Sequence, residues 1–259
     1  MQLTKGAIGN LINRYKAVLK KCHLLNVFGS LAVAGMLVMG GAAAAGAATD
    51  WTDKEISNQE ISKDGSYLQG GFINNTSWDM EAEKLDGTKF LKNNITLTEN
   101  YLQGGIIRNT YNAKLEITRS EFSANTISVG GNYLQGGIIN NDGASIDITG
   151  GTKFNNNTMS VASYLQGGII NNDDGTININ GAEFNENHIA SSDFLQGGII
   201  LNEESIIKIN DTKFIGNEVK SEGKVQGGII INDAIGGESV IAISNSEFVK
   251  NKGYVTTNS

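Results

Sequence analysis

The chain has 259 residues, a formal charge of −7, 33 glycines, a single cysteine and no proline. Five of its 20 bases (Lys5, Arg14, Lys16, Lys20 and Lys21) precede residue 49, where there is no acid; setting them aside leaves 15 bases against 27 acids, a charge of −12. That sign excludes a nucleic-acid binder or a protein docked on anionic lipid, and with Cys22 in the same early stretch the rest of the chain has no disulfide and no cysteine-based metal or nucleophile site.

Residues 1–48 read as a helical signal peptide: a long basic region, an apolar run from Val27 to Met39, and a small-residue tail with an A-x-A match at Ala45-Gly46-Ala47. The apolar run falls short of the ~20 residues a spanning helix needs, and no Leu-x-x-Cys precedes the cleavage point. Residues 49–64 are polar, carry Trp51, and are expected to cap the first repeat.

From residue 65 to 259 the chain is a repeat. One signature is Gln-Gly-Gly followed by two apolar residues and an asparagine, with glutamines at Gln69, Gln103, Gln135, Gln166, Gln196 and Gln226, spaced 34, 32, 31, 30 and 30 residues apart. The asparagines fall at Asn75, Asn109, Asn141, Asn172, Asn202 and Asn232. A second signature, Phe-x-x-Asn, keeps step at Phe90, Phe122, Phe154, Phe184, Phe214 and Phe248. A fixed period of this size marks a solenoid. Each repeat supplies about three short strands: Gly-Gly-Ile-Ile-x-Asn, an apolar-x-apolar segment such as Ile146-Asp147-Ile148, and a segment after Phe-x-x-Asn such as Met159-Ser160-Val161. Such a trio cannot bury its apolar edge alone, so the coils must stack, aligning like residues ~4.8 Å apart. The expected fold is all-β, a parallel β-helix of about six coils. Stacking predicts asparagine and glutamine ladders, an aromatic column at Tyr67, Tyr101, Tyr133, Tyr164 and Phe194, and a phenylalanine column in the core.

Alternating Gly-Gly-apolar and Phe-x-x-Asn motifs, here Gly167-Gly168-Ile169-Ile170 and Phe184-Asn185-Glu186-Asn187, resemble those of the polymorphic outer-membrane proteins, a group of autotransporters. The likeness covers about residues 65–251, and the long basic leader resembles autotransporter leaders too. Isoleucine stands where that family has alanine. The resemblance implies a right-handed, pectin-lyase-like β-helix displayed at the surface of a Gram-negative-type bacterium, or secreted, and used in adhesion to a surface protein or glycan. An autotransporter also has a terminal barrel. The sequence ends at Ser259, soon after the sixth Phe-x-x-Asn, which is read as a fragment with an open last coil through which copies could self-associate.

Catalysis, cofactors and metals are not expected. Asp173-Asp174 could pose as the carboxylate pair of a glycosidase, but the matching positions are Asp142-Gly143 and Glu203-Glu204, so the site reads as a turn. Arg108, Arg119 and His188 are scattered, and the glycine-rich calcium-binding nonapeptide is missing. The second isoleucine of each corner (Ile73, Ile107, Ile139, Ile170, Ile200, Ile230) poses a choice. Strand alternation turns it outward as an interaction stripe, whereas a bend buries it; the bend is the favoured reading. Adhesion or ligand display without catalysis is the leading function. The alternative is a polysaccharide-binding or polysaccharide-cleaving β-helix, which predicts a groove of acidic and aromatic residues on one face.

Overall fold

The computed structural model describes residues 51–64, 67–76, 82–234 and 236–256; the expected signal peptide and its cleavage site lie outside them. Among the described residues every regular element is a strand. The third coil shows the plan: Tyr133–Gln135, Ile139–Asp142, Ser145–Thr149, Lys153–Asn155 and Thr158–Val161. Each strand pairs in parallel with its counterpart one coil away, in the register the repeat predicts: Leu134 on Leu165, Ile146 on Ile177, Phe154 on Phe184. The result is a parallel β-solenoid of about six coils with five sheets of six or seven strands. Taken in chain order from Tyr133, they are called the glutamine, asparagine, isoleucine, phenylalanine and closing sheets.

There are therefore five strands to a coil where three were expected. The two extra ones, Tyr133–Gln135 and Lys153–Asn155, are three residues long with one buried side chain each. So short a segment contains no full cycle of the in-and-out alternation by which a strand is recognised. Residues 51–64, expected as a cap, supply Glu55–Ser57 and Glu60–Lys63, the first strands of the phenylalanine and closing sheets. Trp51 is buried there, with its ring 6.3 Å from that of Phe90 and its indole N–H on Glu83.

The corner between the glutamine and asparagine sheets explains the glycine pair. Gly136 has φ of 58°, and its counterparts Gly104 and Gly167 have 62° and 56°. A Cβ there would also strike the Ile139 carbonyl oxygen, while one on Gly137 would strike the Gly168 carbonyl of the next coil and the Met159 side chain. Just past the corner, the N–H groups of Ile138 and Ile139 both donate to the Ile169 carbonyl, and each complete neighbouring coil repeats this pattern. Two consecutive donors on one acceptor skip a step of the pleat, as in a β-bulge. Both isoleucines therefore turn inward: Ile138, Ile139, Ile169 and Ile170 are wholly buried, and the second isoleucine column is core from Ile73 to Ile200, with Ile230 half-buried in the sixth coil.

Inside, the phenylalanines stack face to face from Phe90 to Phe248, with centroids 4.6 to 5.2 Å apart and planes within 7°. Each such pair contributes about 0.5–1.5 kcal/mol beyond area burial. The Phe-x-x-Asn asparagines complete the corner. Asn157 accepts from the backbone N–H and side-chain amide of Asn125, and donates to the Phe122 carbonyl and to Asn187 Oδ1. The motif needs asparagine because the side chain must donate and accept at once. The residue before each of these asparagines is left-handed: Lys92, Ala124, Asn156, Glu186, Gly216 and Lys250 all have φ between 54° and 66°.

The ladder expected from Asn75 to Asn232 is continuous, each amide donating to the next at 2.7 to 2.8 Å. Two corrections concern the sixth coil. Phe248 stacks on Phe214 but is 45% exposed, because among the described residues its strand pairs on one side only. Gln226 is not joined to the glutamine ladder, because Gln196 donates to Asp233 instead. Outside, the phenylalanine sheet alternates in sign along the axis: Glu55, Lys89, Glu121, Lys153, Glu183, Lys213, Glu247. Opposite charges in register favour the observed stacking.

Candidate functional site: the concave corner

The outer faces of the glutamine and asparagine sheets converge. Gln196, on the outer face of one, reaches Asp233, on the outer face of the other, at 2.7 Å. Arg108, Asn140, Asn171 and Leu201 point away from the core by strand alternation, since their neighbours Asn109, Asn141, Asn172 and Asn202 form the inner ladder. All four are nonetheless buried. They line the floor of a concave corner, folded against the outside of the glycine turn; a Cβ on Gly136, Gly167 or Gly197 would press on the backbone of Asn140, Asn171 or Leu201.

One wall carries the aromatic and glutamine columns. Tyr67, Tyr101, Tyr133 and Tyr164 stack with centroids 4.8 to 5.3 Å apart, and Phe194 meets Tyr164 edge-on at 5.8 Å. The ring faces are occupied by one another, so what this wall offers a ligand is ring edges and phenol groups. Beside them, Gln69 donates to Gln103, Gln103 to Gln135, Gln135 to Gln166 and Gln166 to Gln196, at 2.7 to 3.3 Å. Bonds aligned in one sense polarise one another, and the donor end of the row, Gln196, meets the Asp233 carboxylate.

The other wall is acidic. Asp142, Asp173, Glu203 and Asp233 stand in register one coil apart, immediately after the ladder asparagines. Asp174 and Glu204, with φ of 49° and 47°, form the turn beyond, as Asp173-Asp174 was expected to. Asp142 lies 3.7 Å from Arg108 and also accepts from Thr110. The side-chain carboxylates of Asp173 and Glu203 have no hydrogen bond or ion pair among the described residues, although their backbone carbonyls accept from Gly143 and Asp174. Burial, reinforced by neighbouring carboxylates (Asp142 first for Asp173, Asp173 first for Glu203), raises both above the ordinary carboxylate range.

The remaining titratable candidates lie elsewhere. Arg119 forks onto Asp86 at 2.9 and 2.7 Å, which lowers the Asp86 carboxyl. His188 is exposed on the closing sheet, with Nδ1 3.0 Å from the Glu186 carbonyl and Glu218 in register beside it. Glu218 is held by the Tyr254 hydroxyl, which lowers its carboxyl, and the nearby Ser160 hydroxyl is bonded to Ser128. No acid, base and nucleophile are joined by hydrogen bonds there, and among the described residues no three His, Cys, Asp or Glu side chains converge on a metal position. Sequence reasoning missed the floor column and the carboxylate wall as a unit. The signal was present in the acid that follows the ladder asparagine in four consecutive repeats. Comparison with protein-family models, with curated proteins and with solved structures finds no match.

Proposed function

We propose that this chain is a non-catalytic binding module, an exported autotransporter-like β-solenoid at the surface of a Gram-negative-type bacterium or secreted from it, which holds a protein or glycan ligand for adhesion. The observation that carries this reading is the concave corner, where the same phenol and amide groups recur coil after coil beside a wall of carboxylates. Repetition at the strand spacing suits an extended ligand lying along the axis, gripped by many weak polar contacts. The bases that a lyase would need, Arg108, Arg119 and His188, stand on separate parts of the coil. Cofactors and nucleic acid play no part in this reading.

The alternative, a polysaccharide-active β-helix, draws on the same corner, since aromatic and acidic groups do line one face. A glycan array, run together with an absorbance assay for unsaturated uronates, separates the two. Array or cell binding that is lost in Tyr133→Ala with Gln135→Ala, without turnover, supports the binding module. Any lyase turnover overturns it.

A further inference from the structure

The acidic wall breaks the charge rule that the phenylalanine sheet keeps. On the phenylalanine sheet seven registered positions alternate in sign, whereas here four successive coils stack carboxylate on carboxylate. The two ends of the row are compensated, Asp142 by Arg108 and Thr110 and Asp233 by Gln196. The two middle members, Asp173 and Glu203, are not. A buried amide oxygen without a partner lies on the same face. Asn171 is 3% exposed; its Nδ2 donates to Asn140 Oδ1 at 2.9 Å, but its own Oδ1 has no partner. The registered residue of the next coil is Leu201, which offers no side-chain donor. Strand alternation places Asn171 and Asp173 on the same outer face, and register places Glu203 beside Asp173.

We infer that this corner binds a hard divalent cation of the calcium type, held by the carboxylates of Asp173 and Glu203 and by Oδ1 of Asn171. All three groups are acceptors without a protein donor among the described residues, and oxygen is the ligand such a cation takes. The strand spacing of ~4.8 Å is about twice the 2.3–2.6 Å calcium–oxygen distance, so an ion seated between neighbouring coils reaches a carboxylate on each. Water fills the remaining positions, which calcium tolerates and which the shorter, stricter octahedron of magnesium fits less well. Asp174 and Glu204 add negative charge at the turn without having to ligate. Two carboxylates and one amide oxygen form an open site, consistent with the lack of a three-carboxylate cage. Such a site would tie two coils together beside the ligand-binding wall.

The test is calorimetric titration of calcium chloride into the chelator-treated protein, alongside Asp173→Asn, Glu203→Gln, Asn171→Leu and the control Asp147→Asn on the isoleucine sheet. The expected wild-type result is one saturable site of roughly 10⁻⁴–10⁻³ M, the range of extracellular calcium modules. Asp173→Asn and Glu203→Gln should each weaken it at least tenfold and Asn171→Leu severalfold, with Asp147→Asn unchanged. Melting curves without calcium verify folding, and Asp173→Asn should melt no lower than wild type because a like charge is gone. If that variant fails to fold, Glu203→Gln and Asn171→Leu carry the same test. No saturable heat in the wild type, undiminished binding in the folded variants, or equal binding of magnesium would overturn the assignment.

Discussion

Replacing Asn157 by alanine should be among the most damaging single changes in the chain. The side chain is wholly buried and makes four hydrogen bonds: it accepts from Asn125 N and Nδ2, and donates to the Phe122 carbonyl and Asn187 Oδ1. Truncation orphans two buried donors, at about 1–3 kcal/mol each, and leaves two acceptors underused, so the expected loss is about 4 kcal/mol. Asn251 provides the internal control. It makes the same contacts to Asn217 and the Phe214 carbonyl, but in the half-exposed sixth coil, where water can replace them. Asn251→Ala should therefore cost about 1 kcal/mol. Urea unfolding followed by circular dichroism measures both, through the midpoint shift at unchanged slope. Equal losses for the two variants, or a loss below about 1 kcal/mol at Asn157, would refute the view that buried amide satisfaction holds the corner.

Other expectations rest on the same geometry. Ala124, exposed and left-handed with φ of 56°, should accept glycine with a gain of about 0.5–1 kcal/mol, read as a higher urea midpoint. Ile170→Ser should cost about 4 kcal/mol or more, combining a lost core side chain with a buried hydroxyl; unchanged stability would mean that the column faces solvent. The pH dependence should carry the mark of the acidic wall. Because Asp173 and Glu203 titrate higher in the folded state, the native protein binds more protons than the unfolded one from the ordinary carboxylate range upward. Their contribution to stability is thus greatest at acid pH and falls as pH rises through the folded values. Asp86, lowered by Arg119, acts oppositely and loses its contribution as pH falls. In calcium-free buffer, Asp173→Asn should show a weaker loss of stability than wild type as pH rises from the ordinary carboxylate range; an identical profile would show that the wall is not strained.

Much of this architecture was legible because a stacked solenoid repeats its constraints at a fixed interval. A residue that must satisfy the coils on both sides, such as Asn141 or Phe154, is forced to recur. The period alone therefore established a parallel stack, its register and its ladders. Two features were not legible at that level. Whether Ile139 faces core or solvent depends on two adjacent N–H groups sharing one carbonyl, a backbone detail that alternation rules assume away. The left-handed residue before each Phe-x-x-Asn asparagine was equally hidden, because lysine, alanine, glutamate and glycine all occupy it.

The chain's own order thus determined what is periodic: fold class, coil number, in-register core and polar ladders, each a consequence of like residues meeting at the strand spacing. Tertiary structure decided what depends on angles between sheets. The glycine turn is sharp enough to bring the outer faces of two sheets together, which buries Asn171 from the outside and sets the glutamine row opposite the carboxylates. Residues 30 or more positions apart meet across that corner, and nothing local in the repeat encodes the angle at which they do so.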